Sequence, residues 1–122
     1  MMREILFRGK KIDNDEWTYG FYFEHSIDGQ KHSYIKYQTF DEGFVTKEVV
    51  ADTVGQFTGL TDKNGKKIFE GDIVESPYGT QGFIEWQNAE CAFLVNIGDD
   101  WQTMDDCPYE VVGNIYDNGE EE

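Results

Sequence analysis

The chain has 122 residues and a formal net charge of −15, from 10 Lys and Arg against 25 Asp and Glu. This length fits one domain or two very small subdomains, which can bury a core without a metal or a disulfide. No apolar run is long enough to cross a membrane, and no signal peptide is visible. We therefore expect a soluble, cytoplasmic protein whose two cysteines, Cys91 and Cys107, stay reduced.

The acidic charge is concentrated in the second half of the chain. Residues 1–60 carry a net charge of −3, residues 61–122 carry −12, and no Lys or Arg follows Lys67. Such a surface repels phosphate backbones, because affinity for nucleic acids comes largely from cations. We expect no direct binding of nucleic acid and no membrane association. The simplest role of the charge is solubility, and the alternative is contact with a basic partner.

The first half of the chain has the two-residue periodicity of β-strands. Residues 3–8 predict a short strand, and Asp28-Gly29 predicts a hairpin turn before a strand over 31–39. Residues 44–50 predict an extended segment, with a short helical turn around 48–54 as the alternative. The clearest strand spans 17–24, where alternation places four aromatic residues on one side that we expect to be a core face. These residues are Trp17, Tyr19, Phe21 and Phe23.

The second half predicts short strands separated by tight turns. Residues 54–60 contain too much glycine for a helix, and Asn64-Gly65 predicts a type I′ hairpin turn. Short strands follow over 67–69, 72–76, 82–87, 92–97, 100–104 and 110–116. This pattern indicates a small barrel or a two-sheet sandwich, and the sequence Glu-Gly-Asp-Ile-Val at 70–74 is typical of the start of an SH3-like barrel.

Several blocks resemble, in order, the YopX family of phage and prophage proteins. Residues 2–10 and 17–21 resemble the family's opening, and residues 112–118 resemble its end. Residues 53–74, Thr-Val-Gly-Gln-Phe-Thr-Gly-Leu-Thr-Asp-Lys-Asn-Gly-Lys-Lys-Ile-Phe-Glu-Gly-Asp-Ile-Val, are similar to its signature nearly throughout. The resemblance implies a C-terminal SH3-type barrel, a phage gene context and a capacity for homo-oligomers. It implies no activity and no site residues.

We therefore predict a mostly-β fold made of two regions. An N-terminal antiparallel hairpin region, residues 1–60, is expected to pack on a C-terminal SH3-like small barrel, residues 61–117. Residues 118–122 form an acidic tail, which we expect to be disordered because it has nothing to bury.

The main candidate for ion binding is a group of four carboxylates that bracket a predicted strand: Asp99, Asp100, Asp105 and Asp106. Paired carboxylates can bind Mg²⁺ or Ca²⁺, or act as acid and base when their pKa values differ. Because spacing alone does not bring oxygens together, two polar turns are the simpler interpretation.

Residues 62–72 also have some features of a calcium loop. Their glycine, Gly65, falls at the wrong position for an EF-hand, and a hairpin explains Asn64-Gly65 without a metal. In that hairpin interpretation, Asp72 is expected to bond backbone N–H groups of a turn.

Two histidines flank the first predicted hairpin turn. His25 and His32 could approach each other and bind zinc with a Cys or an Asp, but no Cys lies near them, so exposed strand-end histidines are the simpler interpretation. No nucleophile, P-loop or dinucleotide motif is present.

Basic residues at the N-terminus could form a small patch with two nearby aromatic residues, where rings stack on the bases of RNA or DNA. Because acidic residues lie between them, a mixed-charge surface is a simpler interpretation. The interpretation that we prefer is that Arg3 and Arg8 pair with acidic groups of the C-terminal barrel and hold the two halves together, since it gives the charge asymmetry a structural role. The residues of this patch are Arg3, Arg8, Lys10, Lys11, Trp17 and Tyr22.

The sequence favours a phage-encoded, non-enzymatic module for protein interaction or self-assembly, with no cofactor and with a protein or a second copy as its partner. One alternative is an acidic DNA mimic that inhibits a DNA-binding protein of the host or phage. The other alternative is a small divalent-cation-binding protein that uses the four aspartates.

Overall fold

The computed structural model describes residues 5–98, 100–104 and 109–117. Within these residues the fold is mostly β, as predicted, and no helix is long and apolar enough to span a bilayer. One 3-10 helix, Ala51–Thr53, interrupts the strands. The strands are β1 Phe7–Lys10, β2 Trp17–Ile27, β3 Gln30–Thr39, β4 Gly43–Val49, β5 Gly55–Thr61, β6 Lys67–Phe69, β7 Asp72–Glu75, β8 Gln81–Gln87, β9 Ala92–Asn96, β10 Trp101–Gln102 and β11 Glu110–Asn114.

The strands form two antiparallel sheets, and the chain packs into two compact units, residues 1–57 and 58–122. The first sheet has the order β4-β3-β2-β1-β5-β6, and the second has the order β10-β9-β8-β7-β11. β5 begins in the first unit and ends in the second. The division at residues 60 and 61 stays a prediction, and the tail 118–122 lies outside the described residues.

Two predicted hairpin turns are confirmed. Asp28 and Gly29 both have positive φ, 54° and 79°, as a two-residue type I′ turn requires. At the second turn only Gly65 has positive φ, 85°, and its N–H donates to the carbonyl oxygen of Asp62 at 3.0 Å. The type I′ assignment is therefore wrong for Asn64-Gly65, since that turn needs positive φ at both residues.

In the first unit, β2 changes its partner strand at Gly20. The residues up to Gly20 pair with β1, and those from Phe21 onwards pair with β3, where Phe21 lies opposite Lys36. A Cβ at residue 20 would collide with the backbone carbonyl oxygen of Lys36. Glycine is therefore required where the strand bends.

The far edge of this sheet returns to the end of β1. The Val50 N–H donates to the Lys10 carbonyl oxygen at 2.9 Å, and the Ile12 N–H donates to the Glu48 carbonyl oxygen at 3.0 Å. The sheet is therefore curled, with one concave and one convex side.

The core of the first unit lies on the concave side. Ile35 is 0% exposed and Val49 is 2% exposed, and the buried Thr18 lies on the same side by strand alternation. A Cβ at Gly9 would come within 3.1 Å of the Val49 side chain, so β1 and β4 approach closely there. Gly9 and Thr18, which lie opposite each other, are small where β1 and β4 approach, and the rings of Phe7 and Tyr22 pack against each other on the same side.

The prediction that the aromatic residues of β2 form a core face is wrong. Tyr19, Phe21 and Phe23 are 45%, 62% and 40% exposed, and Trp17 is only half-buried. Alternation places these rings together, as predicted, but on the convex side. The concave side receives the small residues Thr18 and Gly20 instead.

In the sheet of the second unit, strands β7 to β10 form a meander. The following strand, β11, returns to pair with β7, with a bulge between Val111 and Gly113. The sheet does not close among the described residues, so the SH3-like barrel is not confirmed. Its inward side holds the core, with Phe93, Ile97 and Val111 packed at the margin. The buried core residues are Ile68, Val74, Ile84, Val95, Met104 and Tyr109.

Candidate functional site

The most distinctive surface of the described residues is the convex side of β2, β3 and β4, which we call the aromatic face. Its rings belong to Tyr19, Phe21, Phe23, Tyr34 and Phe44. The rings of β2 recur at every second residue, so they lie about 7 Å apart along the strand. Phe23 stacks on Tyr34 with ring centroids 5.2 Å apart, and Phe44 is 60% exposed.

Cations accompany the rings of this side of the sheet. The Lys36 Nζ lies 5.0 Å from the ring centroid of Phe44. The Arg8 guanidinium carbon lies 4.5 Å from the Trp17 ring centroid, and the Lys10 Nζ lies 5.7 Å from the same ring. A cation over a ring is attracted by the ring's quadrupole, so Lys36 adds a positive charge beside Phe44 on the aromatic face, whereas Arg8 and Lys10 pack on Trp17 in buried positions.

The structure divides the predicted basic patch. Arg8 and Lys10 are buried, 5% and 4% exposed, and Lys11 forms an ion pair with Glu16 at 3.9 Å. Arg3 lies outside the described residues. The two aromatic members of that patch, Trp17 and Tyr22, lie on opposite sides of β2.

Tyr22 takes part in a local hydrogen-bond network on the other side of β2. Its hydroxyl donates to the Glu24 carboxylate at 2.5 Å and lies 3.2 Å from the Ser33 hydroxyl. Burial and the bond to Glu24 raise the pKa of Tyr22, and the same bond lowers the pKa of Glu24. The network fixes the Tyr22 ring, which packs at 5.6 Å from Phe7.

The two histidines lie directly opposite each other, His25 on β2 and His32 on β3. The His32 Nδ1 is 2.6 Å from a carboxylate oxygen of Glu48, the residue that neighbours Tyr34 on β4. The described part of the chain contains no group of three His, Cys, Asp or Glu residues close enough to hold a metal ion.

Only one of the four candidate cation ligands is described. The Asp100 carboxylate accepts the N–H of Trp101 at 2.8 Å, which is an ordinary turn contact. The other three, Asp99, Asp105 and Asp106, lie outside the described residues, so the divalent-cation site stays a prediction. Cys91 is an exposed free thiol.

Asp62 has a structural task that spacing alone did not reveal. Its carboxylate accepts the backbone N–H groups of Asn64 at 2.8 Å, Lys66 at 2.9 Å and Val111 at 3.0 Å. Burial raises the pKa of this carboxyl, but the three N–H donors outweigh burial and hold the pKa below its ordinary value. The carboxylate therefore ties the hairpin at 62–66 to β11.

The prediction for Asp72 is confirmed. Its carboxylate accepts the N–H of Phe69 at 2.8 Å, and the residue is 2% exposed. Gly71, with φ of 93°, donates its N–H to the carbonyl oxygen of Ile84 and accepts the N–H of Ile115, each at 2.9 Å. The turn before β7 is thus fastened to β8 and to the end of β11.

An open groove of about 440 Å³ lies on the second unit, where the starts of β7 and β8 meet the end of β9. Apolar side chains form most of its walls, and two amide side chains lie at its edge. Its lining residues are Ile73, Gln81, Gly82, Phe83, Asn96, Ile97, Gly98 and Ile115. Sequence reasoning missed this groove, because its walls are contributed by segments up to about forty residues apart.

Comparison with known proteins identifies the family of this chain and proteins of similar fold. The family described as YopX protein matches residues 6–121, nearly the whole chain. Among solved structures, the crystal structure of protein EF1440 from Enterococcus faecalis is similar in fold, with 22% sequence identity and a TM-score of 0.53, over 98% of this chain and 99% of that chain. No curated protein matches. The resemblance seen in the sequence blocks is confirmed, and the chain belongs to the YopX family.

Proposed function

We propose that this chain is a non-enzymatic protein-interaction module, which binds a partner protein through the aromatic face. The observation that carries the proposal is the exposure of Tyr19, Phe21 and Phe23, at 45%, 62% and 40%, on one side of one strand. With Phe44 these rings present roughly 400 Å² of apolar surface, which is in the size range of the largest apolar patch on a typical monomer, a patch that is often functional.

The chemistry of the aromatic face suits protein contact. Aromatic side chains supply large contact areas at low cost in conformational entropy, and they are enriched with arginine at the centre of protein interfaces. Phe23 is already ordered by its stack on Tyr34, and Lys36 is ordered over Phe44. Since these side chains are held before a partner arrives, less entropy is lost on binding.

The finer expectations on origin and architecture are also part of the proposal. We infer a phage or prophage gene product that acts in the cytoplasm, on the basis of the family resemblance. An SH3-type barrel in the second unit is supported by the strand order, in which a four-strand meander is followed by a strand that returns to pair with the first.

The test compares two variants of the full-length chain that each lose one exposed phenylalanine. Phe21→Ser removes a ring from the centre of the aromatic face, and Phe40→Ser removes a fully exposed ring from the turn between β3 and β4. We expect a partner captured from host lysate by the wild type to bind Phe40→Ser equally. The purified partner should bind Phe21→Ser about tenfold more weakly by calorimetry.

Other outcomes would replace the proposal. Binding of single-stranded oligonucleotides that is lost in Phe21→Ser would make the aromatic face a nucleic-acid site. A concentration-dependent dimer in light scattering that is lost in Phe21→Ser would make it a self-assembly surface. A basic partner that both variants capture equally and that DNA displaces would favour the DNA-mimic alternative.

A further inference from the structure

We propose that the groove on the second unit is a separate binding site, which accepts an apolar side chain from a cationic peptide segment of a partner protein. This proposal concerns a different surface from the aromatic face and does not depend on it. Four observations on the groove carry it: mostly apolar walls, a fixed rim, a volume that suits side chains, and wall segments that contain carboxylates but no Lys or Arg.

The walls of the groove are mostly apolar. Ile73 and Phe83 lie opposite each other on β7 and β8, and Ile115 is 41% exposed at the side. At Gly82 a Cβ would meet the carbonyl oxygen of Asn96 at 2.5 Å and the Ile97 side chain at 3.0 Å. Any side chain at residue 82 would collide with β9, so the close approach of β8 and β9 requires a glycine there.

The rim of the groove is ordered by side-chain hydrogen bonds. The Asn96 amide nitrogen donates to the Glu85 carboxylate at 3.1 Å, and the Asn96 amide oxygen accepts the Gly98 N–H at 2.8 Å. The nitrogen and the oxygen of the Asn96 side-chain amide are thus both hydrogen-bonded, which fixes the wall that β9 contributes. A ligand would meet a preformed surface and would lose little free energy to its ordering.

The groove has a volume that suits side chains of a peptide. At about 440 Å³ it falls within the range of ligand pockets, and its open form leaves a path for a peptide main chain to pass across it. One or two large apolar side chains, such as Leu or Phe, would bury the exposed part of Ile115 and the ring of Phe83.

The charge around the groove selects a cationic occupant. No Lys or Arg occurs after Lys67, so every wall of the groove comes from a segment without fixed cations. Glu75 lies opposite the lining residue Gln81, and Glu85 bonds to the lining residue Asn96. An apolar residue flanked by Lys or Arg would match both the walls and the carboxylates, because complementary charge favours encounter and orientation.

The experiment selects short random peptides by display against the immobilised full-length chain at about 0.15 M salt. We expect the enriched peptides to share an apolar residue flanked by Lys or Arg. A synthetic copy of the most enriched peptide is then titrated into ¹⁵N-labelled protein, and the amide signals of Gly82 and Gly98 are expected to shift.

Matched variants assign the binding to the groove. Ile115→Gln removes apolar lining without changing charge, and it should weaken the synthetic peptide about tenfold. Val112→Gln, at a residue 46% exposed that does not line the groove, should leave the affinity unchanged. The double variant Glu75→Gln with Glu85→Gln should weaken binding severalfold and flatten its dependence on salt.

Three results would overturn the proposal. The first is a selection that enriches no apolar and cationic pattern. The second is a peptide that binds Ile115→Gln as tightly as it binds the wild type. The third is a set of shifted signals that falls on Tyr19, Phe21 and Phe23 and not on Gly82 and Gly98. If Ile115→Gln does not fold, the double glutamate variant and the shifted signals decide between the same outcomes.

Discussion

The first and second units both use antiparallel strands with alternating side chains, yet they place their aromatic and aliphatic residues on different sides. β2 turns Tyr19, Phe21 and Phe23 towards solvent, whereas β7, β8 and β9 turn aliphatic residues such as Val74 and Ile84 into a core. The first unit shows rings with cations beside them, and the second shows carboxylates around an apolar groove. The two surfaces therefore suit partners of different chemistry.

The bend of a strand decides which of its two alternating sets of side chains is buried. At Gly20 the backbone of Lys36 approaches so closely that only a glycine fits on the concave side. The rings of Tyr19, Phe21 and Phe23 lie on the opposite, convex side. In the second unit Val74 and Ile84 face the core, and the alternating set on the other side contains the groove residues Ile73 and Phe83.

The largest expected effect lies in the core of the second unit. Ile84 is 1% exposed and packs in the cluster with Val74 and Val95. We expect Ile84→Ala to lower the free energy of unfolding by about 3 kcal/mol, because it removes buried methyl groups and leaves a cavity. Urea unfolding followed by fluorescence measures the change. A loss below about 1 kcal/mol would contradict this packing.

A somewhat smaller effect is expected at the bend of β2. Gly20→Ala places a methyl group against the Lys36 carbonyl oxygen, and we expect a loss of about 2 kcal/mol in the free energy of unfolding. The control is Gly43→Ala, where a Cβ would have no neighbour within 4 Å and only the positive φ of 73° adds strain. Equal losses of unfolding free energy in the two variants would contradict the collision with the Lys36 carbonyl oxygen as the cause.

Asp62 is expected to contribute less than either of these, and its contribution depends on pH. Asp62→Asn loses the charge of the acceptor and one of its three N–H bonds, so we expect a loss of about 1.5 kcal/mol at pH 7. Because the pKa of Asp62 is lowered in the folded state, its stabilisation is present above the unfolded pKa, near 3.9. The stabilisation is lost as the pH falls through the folded pKa.

The wild type and Asp62→Asn should therefore converge in stability as the pH falls through the folded pKa of Asp62, and they should differ most at neutral pH. Thermal unfolding at several pH values measures this difference. A gap that stays constant from pH 7 to pH 2 would show that the carboxylate's charge contributes nothing to the ties with Val111 and Lys66.

The smallest effect on stability is expected on the aromatic face. Phe21→Ser removes a ring that is 62% exposed, and we expect a change within about 0.5 kcal/mol, as for surface substitutions in general. This variant should affect partner binding without unfolding the protein. A loss as large as that of Ile84→Ala would mean that the ring is buried in solution.

Local signals predicted the elements of this fold well. The turn at Asp28-Gly29, the turn at Asn64-Gly65 and the bond from Asp72 to a turn N–H each depend on residues close in sequence. The strands after residue 66 were placed by period-two alternation within a few residues of their observed bounds. These features are predictable because the interactions that produce them are local.

Features that depend on distant residues could not be predicted. Alternation shows that Tyr19, Phe21 and Phe23 share a side. Which side is buried depends on how closely the Lys36 backbone of β3 approaches Gly20 of β2. Asp62 meets Val111 from 49 residues away, so spacing within residues 62–72 could not reveal that bond. In the sequence, the small residues Thr18 and Gly20, which alternate with these rings, are the features that indicate limited space on the other side of β2.

The most direct test of the account is hydroxyl-radical footprinting of the phenylalanines, read by mass spectrometry on the full-length chain at low concentration. We expect Phe21 and Phe23 to be modified at rates near that of Phe40, which is fully exposed, and far above that of Phe69, which is 3% exposed. Protection of Phe21 and Phe23 to the level of Phe69 would contradict an exposed aromatic face and the interaction function built on it.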